Sequence, residues 1–136
     1  MTVDLVQFLR DRLDEDARMA RPATPGPWTY NLGKQWHAPE DLAARANGEE
    51  FVRAGSLDNP ICVAATGPAD DPQSIADAIH IARQDPARAL REVEGKRRII
   101  DETWGGPDHD DMWRFHIQLL ALTYADHPDY RQEWRP

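Results

Sequence analysis

Residues 71 to 102 read DPQSIADAIHIARQDPARALREVEGKRRIIDE, and the interpretation of the whole chain turns on this stretch. It opens a helix with Asp-Pro twice. Asp71 and Asp85 carry carboxylates that can accept from the free N–H groups of a first helical turn, and Pro72 and Pro86 suit the first helical position, where no N–H is needed. Because the residue before a proline is driven out of the α region, Asp85 divides what would otherwise be one long helix into a corner. In the first arm Ile75, Ala78, Ile79 and Ala82 recur at helical spacing. In the second, Ala89, Leu90, Val93 and Ile100 share a face, with the stem of Arg97 covering apolar surface beside them. Arg88, Arg91 and Arg98 fall on the opposite face around Gly95, and Gly105-Gly106-Pro107 ends the arm.

Upstream, residues 3–20 predict a first helix from Leu5, Leu9, Leu13, Phe8 and Ala17, with a charged, solvated outer face and Pro22 as its stop. Two prolines around Gly26 then fix a turn, after which Trp28, Tyr30 and Leu32 alternate with polar residues as a half-buried strand does. Trp28 is expected to anchor the sheet onto the helices, the alternative being a platform for a ligand. Residues 40–46 read either as a short helix or as a loop. Residues 50–54 and 61–66 predict two further strands around the turn-rich GSLDNP at 55–60.

Downstream, Asp110 or Asp111 caps a last helix over 112–123. Met112, Phe115, Leu119 and Leu122 form one stripe, and Trp113, Ile117 and Leu120 leave little polar surface elsewhere. Such a helix needs cover on more than one side. The aromatic tail from Tyr124 to Pro136 is expected to dock against it, and a second subunit to meet it through Trp113, Ile117 and Leu120, giving a homodimer.

The fold expected is therefore α+β: a single domain over 1–136 with a small antiparallel sheet of about three strands packed on three to four helices. Its parts are an N-terminal helix (1–21), the sheet (27–66), the helical corner (71–104), and a C-terminal helix with docked tail (110–136). A composition of 40% hydrophobic and 29% charged residues excludes the disordered class, and no run is long enough to span a bilayer. The amphipathic N-terminus resembles neither a signal nor a transit peptide, so a cytoplasmic protein is expected. A net charge of −8 argues against direct nucleic-acid binding, which draws its affinity from neutralising phosphates. The lone Cys62 allows no internal disulfide and reads as a small buried hydrophobe in a strand.

Three motifs, ATPGPW at 23–28, the 71–100 stretch, and YADHPDYRQEWRP at 124–136, make the chain resemble an actinobacterial domain-of-unknown-function family also met in phages. The TPGPW turn followed by the Asp77–Ala82 helix is also similar to the Ead-like accessory proteins of phages. Neither resemblance implies a reaction, a substrate or a cofactor. Many members of the first family carry a cysteine-rich stretch where this chain has Asp108-His109-Asp110-Asp111-Met112-Trp113, so those cysteines have no counterpart here.

Several residues could still carry chemistry. Asp77 and His80 stand at i, i+3, where a carboxylate can orient an imidazole, although a structural histidine is the commoner outcome. His109 and its neighbouring acids could ligate a divalent metal, or could simply cap a helix. His116 lies on the apolar stripe and reads as a hydrogen-bonded core histidine. No P-loop, dinucleotide fingerprint, HExxH or nucleophile elbow is present. The leading expectation is a non-enzymatic binding protein without cofactor, metal or catalytic residues, recognising a protein or a small anionic ligand through Trp28, Asp77, His80, Arg88, Arg91 and Arg98. The alternatives are a small metal-assisted hydrolase built on Asp77, His80 and His109, and an acidic inhibitor that mimics nucleic acid.

Overall fold

The structure, a computed structural model, describes residues 2–30, 48–56, 58–103 and 111–136. The elements in order are α1 (Thr2–Ala20), β1 (Glu49–Gly55), β2 (Pro60–Pro68), α2 (Pro72–Ala82), α3 (Pro86–Thr103) and α4 (Asp111–Ala121), followed by single 3₁₀ turns at Leu122–Tyr124 and Gln132–Trp134. They gather into two compact units, one of residues 1–21 and 90–136 and the other of residues 22–89.

The first unit is helical. Leu5, Leu9, Leu13 and Ala17 repeat every fourth residue, which keeps them on one side of α1, and all are at most 2% exposed. Each leucine removed from water in this way contributes about 2 kcal/mol. They pack with Val93 and Ile100 of α3, Trp113, Ile117 and Ala121 of α4, and Tyr130 and Trp134 of the tail. Phe8 sits among the tail aromatics, its ring centroid 5.0 Å from Trp134 and 6.0 Å from Tyr130. The tail therefore belongs to the core of this unit.

α4 turns a different face inward from the stripe that its sequence suggests most strongly. Trp113, Ile117 and Ala121 are buried and Leu120 packs against them, while Met112, Phe115, Leu119 and Leu122 are 40–59% exposed. Both sets satisfy helical spacing. Trp113 fills the larger volume and Ala121 permits a close approach, so that face lies in the core. His116 is exposed rather than a core histidine, because it lies beside Phe115 on the outer side.

The second unit is built on a hairpin. β1 and β2 pair antiparallel with bulges between Glu50 and Phe51 and between Val52 and Arg53. Among the described residues two strands are present, about three having been expected, and Leu32 of the first expected strand lies outside those residues. The Trp28–Tyr30 segment adds a single bridge, with Thr29 and Arg53 exchanging N–H···O bonds of 2.8 and 2.9 Å. Cys62 lies in β2 as predicted, but half-buried. α2 packs across both strands, led by the fully buried Ala78.

The Asp-Pro devices act as the sequence implies. Asp71 Oδ2 accepts from both the N–H and the hydroxyl of Ser74 at 3.0 Å, capping α2. The α2 helix stops at Ala82, and Asp85 Oδ1 accepts from the Arg88 N–H at 2.8 Å to start the next helix. The β2–α2 connection is equally constrained. Gly67 adopts φ +139°, and a Cβ there would collide with the Ser74 hydroxyl.

Candidate functional site

Within the second unit, the segment after the TPGPW turn and the outer side of α2 form an open groove of about 310 Å³, lined by Trp28, Thr29, Tyr30, Ile79, Ala82 and Arg83. Strand alternation directs the side chains of residues 28 and 30 to the same face, and the Thr29–Arg53 bridge fixes that face. The polar end of each aromatic is already engaged. Trp28 Nε1 donates to the Thr24 carbonyl at 2.8 Å, and the Tyr30 hydroxyl donates to Glu50 Oε2 at 2.9 Å. Both rings are thereby held in place and offer apolar surface to the groove.

Glu50 organises the site from beneath. It is only 3% exposed on β1, and its Oε1 accepts from the Asp70 N–H at 2.8 Å. That bond supports the unusual left-handed backbone of Asp70, φ +64°. Thr66 extends the network, its hydroxyl donating to the Ser74 carbonyl at 2.7 Å. Burial, reinforced by the hydrogen bond to Glu50, pushes the Tyr30 hydroxyl up from 10.0 to about 12. The phenol therefore stays neutral, and a donor, across the physiological range.

Arg83 lines the groove at the C-terminal end of α2. It is the C-cap of α2, its backbone N–H turned back to the carbonyls of His80 and Ile81, and its side chain is exposed. Ile79, 46% exposed, lies one turn earlier on the same helix.

The other described candidate residues are each exposed or engaged locally. Asp77 and His80 are both exposed, and Asp77 Oδ1 accepts from Gln73 Nε2 at 2.9 Å, so this carboxylate is occupied within its own helix. Arg88 Nη1 donates to the Arg83 carbonyl at 3.3 Å and belongs to the second unit. Arg91 is exposed in the first unit, where Arg98 pairs with Glu102 at 2.9 Å. Asp108, His109 and Asp110 lie outside the described residues, as do Trp36, His37, residues 40–46 and Gly105-Gly106-Pro107. Among the described residues, no group of three or more His, Cys, Asp or Glu side chains is placed to hold a metal ion.

Trp113 and Ile117, expected at a subunit contact, lie instead in the core of the first unit, and Leu120 packs against that core. The acidic face of α1 is likewise engaged. Asp4 pairs with Arg131, Asp14 with Arg97 and Glu15 with Arg12, while Asp11 accepts from Gln7 and Asp16 from the Tyr124 hydroxyl. Asp4, Asp14 and Glu15 thus face a guanidinium, whereas Asp11 and Asp16 keep their charge beside neutral donors.

Trp28 is the groove residue whose sequence context points to it; Tyr30 reads only as the next inward strand position. Ile79 looks like part of an ordinary helix stripe, and Arg83 like an ordinary basic residue at a helix C-terminus. The one usable signal was that Ile79 and Ile75 widen the stripe of α2 beyond what Ala78 and Ala82 need for packing.

No helix among the described residues is long and apolar enough to cross a membrane. No curated protein and no solved structure shows significant similarity to the chain. The DUF6221 description, a family of unknown function, matches residues 2–136 and so takes in α1, both strands and the aromatic tail alike: the chain belongs to that family.

Proposed function

We propose that this protein is a binding protein rather than an enzyme, and that it works by seating a partner on the groove of its second unit. The observation that carries this reading is the pair Trp28 and Tyr30, each held by its own inward hydrogen bond and each presenting a ring beside the exposed Ile79. Preorganised aromatic surface of this kind lowers the ordering cost of association. Burial of rings against a partner also gains more per residue than other side chains offer. The likeness of its three motifs to an actinobacterial and phage family supports an accessory role in that setting.

The test is a titration of the full chain with a set of small apolar and amphipathic fragments, followed by amide and indole NMR. Shifts concentrated at the Trp28 indole, Thr29, Tyr30 and Ile79 to Arg83 support the reading. Shifts scattered over the surface with none at these positions would overturn it.

The same protein is proposed to be a homodimer, through the outward face of α4. Met112, Phe115 and Leu119, with Leu122 and Thr123 of the turn that follows, are exposed and carry no ionisable side chain. In a chain of net charge −8, an uncharged apolar face is where two copies meet with the least mutual repulsion.

A further inference from the structure

We infer that the occupant of the groove is a protein segment carrying one large apolar side chain beside a carboxylate, the apolar group lying between Trp28, Tyr30 and Ile79 and the carboxylate meeting Arg83. This rests on the reading of the groove as the binding surface and adds the chemistry of what it binds.

The groove has few polar groups left to offer a ligand. The indole N–H of Trp28 is committed to Thr24, the phenol of Tyr30 to Glu50, and the backbone N–H and carbonyl of Thr29 to Arg53. A ligand rich in donors and acceptors would lose its hydration there without replacement, at a cost of about 1–3 kcal/mol for each unsatisfied group. What remains is surface more apolar than polar, with the Arg83 guanidinium as its charged group. Arg83 makes no ion pair with an acid among the described residues, unlike Arg97, Arg98 and Arg131, which pair with Asp14, Glu102 and Asp4. A cationic ligand meets repulsion at Arg83, and a carboxylate meets a planar, multi-donor partner.

Size selects a segment over a free small molecule. About 310 Å³ is at the lower limit of pockets that enclose a ligand, and this groove is open along its length, so it covers one side of an occupant. One side is enough for a side chain anchored by its own backbone elsewhere on the surface.

Net charge limits the acid to a local one. At −8 the chain repels a long acidic tract at a distance, so the fit is to an isolated Glu or Asp next to the apolar anchor.

The probes are short synthetic peptides with a central Leu, Met or Phe, made in three matched versions flanked by Glu, by Gln or by Lys, and titrated against the full chain with the indole and amide signals as readout. The Glu version is expected to shift Trp28 and Ile79 to Arg83 at the lowest concentration and the Lys version at the highest. Arg83→Gln should weaken the Glu version by roughly threefold to fivefold, the worth of one exposed ion pair, and leave the Gln version unchanged. Arg83→Glu should reverse the order of the Glu and Lys versions. Ile79→Ser, a change at an exposed position, should weaken all three. If the three versions shift the groove signals equally, the carboxylate preference is refuted while the groove stands as a binding surface. If none reaches the groove, the binding reading falls together with the inference.

Discussion

The Tyr30 hydroxyl donates to a Glu50 carboxylate that is almost wholly buried on β1, and the two residues are twenty positions apart in sequence. Removing the donor takes one hydrogen bond from a buried carboxylate. Tyr30→Phe is expected to cost about 1–3 kcal/mol of stability in urea unfolding, and Glu50→Ala at least as much, because the Asp70 N–H also loses its acceptor.

The same pair sets an alkaline limit. The folded-state value for Tyr30 lies above its unfolded one, so its contribution to stability is fully present below pH 10.0 and is lost as pH rises through about 12. Tyr124, raised by burial and by its hydrogen bond to Asp16, acts in the same direction. Unfolding midpoints followed upward from pH 10 should fall less steeply in Tyr30→Phe than in the parent chain. Identical slopes would show that the phenol is not held as described.

Two glycines should respond with opposite signs to the same substitution. Gly67→Ala puts a Cβ against the Ser74 hydroxyl at φ +139° and is expected to destabilise by about 1–3 kcal/mol. Gly95→Ala lies in α3 with nothing within 4 Å of the added carbon and should stabilise by about 1 kcal/mol. Thermal unfolding of both variants is the check.

Trp134→Ala should cost about 3–5 kcal/mol, the range for a large aromatic removed from a core. A loose tail would lose almost nothing. Chemical denaturation separates the two, and trimming the last seven residues should be more damaging still, since Tyr130 goes as well.

Light scattering at tens of micromolar decides the association of α4 faces. A mass of twice 15.5 kDa is expected, and Leu119→Asp should return soluble monomer, because a carboxylate is not cheaply desolvated in an apolar contact. A monomeric parent chain would remove the proposal.

Capping chemistry and single-faced stripes made much of the fold legible in the sequence. Asp71-Pro72 and Asp85-Pro86 marked two helix starts because a carboxylate and a ring locked in φ suit those positions for local reasons. Leu5, Leu9 and Leu13 left no doubt about which side of α1 faces inward. On α4 two apolar faces competed, and volume and close approach around Trp113 and Ala121 chose between them, which spacing does not encode. Among the described residues the Trp28–Tyr30 alternation corresponds to one bridge, Thr29 to Arg53. Glu50 read as an ordinary strand residue, since nothing local announces that its partners will be Tyr30 and Asp70. The groove was visible only through Trp28, because Ile79 and Arg83 acquire their meaning from what the hairpin places beside them.

The core of the first unit is assembled from the two extremities of the sequence, Leu5 to Ala17 meeting Tyr130 and Trp134, with residues 22–89 lying between them in the chain. During synthesis α1 therefore meets its permanent neighbours only as residues 93–134 are made, with Tyr130 and Trp134 completing the set. Until those residues are made, its leucines lack the core they enter in the folded unit. Residues 22–89 contain all the partners of their own hairpin and can close while translation continues. A chain stalled once residue 89 has cleared the ribosome but before Tyr130 is made should accordingly present a folded hairpin with its helix, and an N-terminal segment still open to proteases.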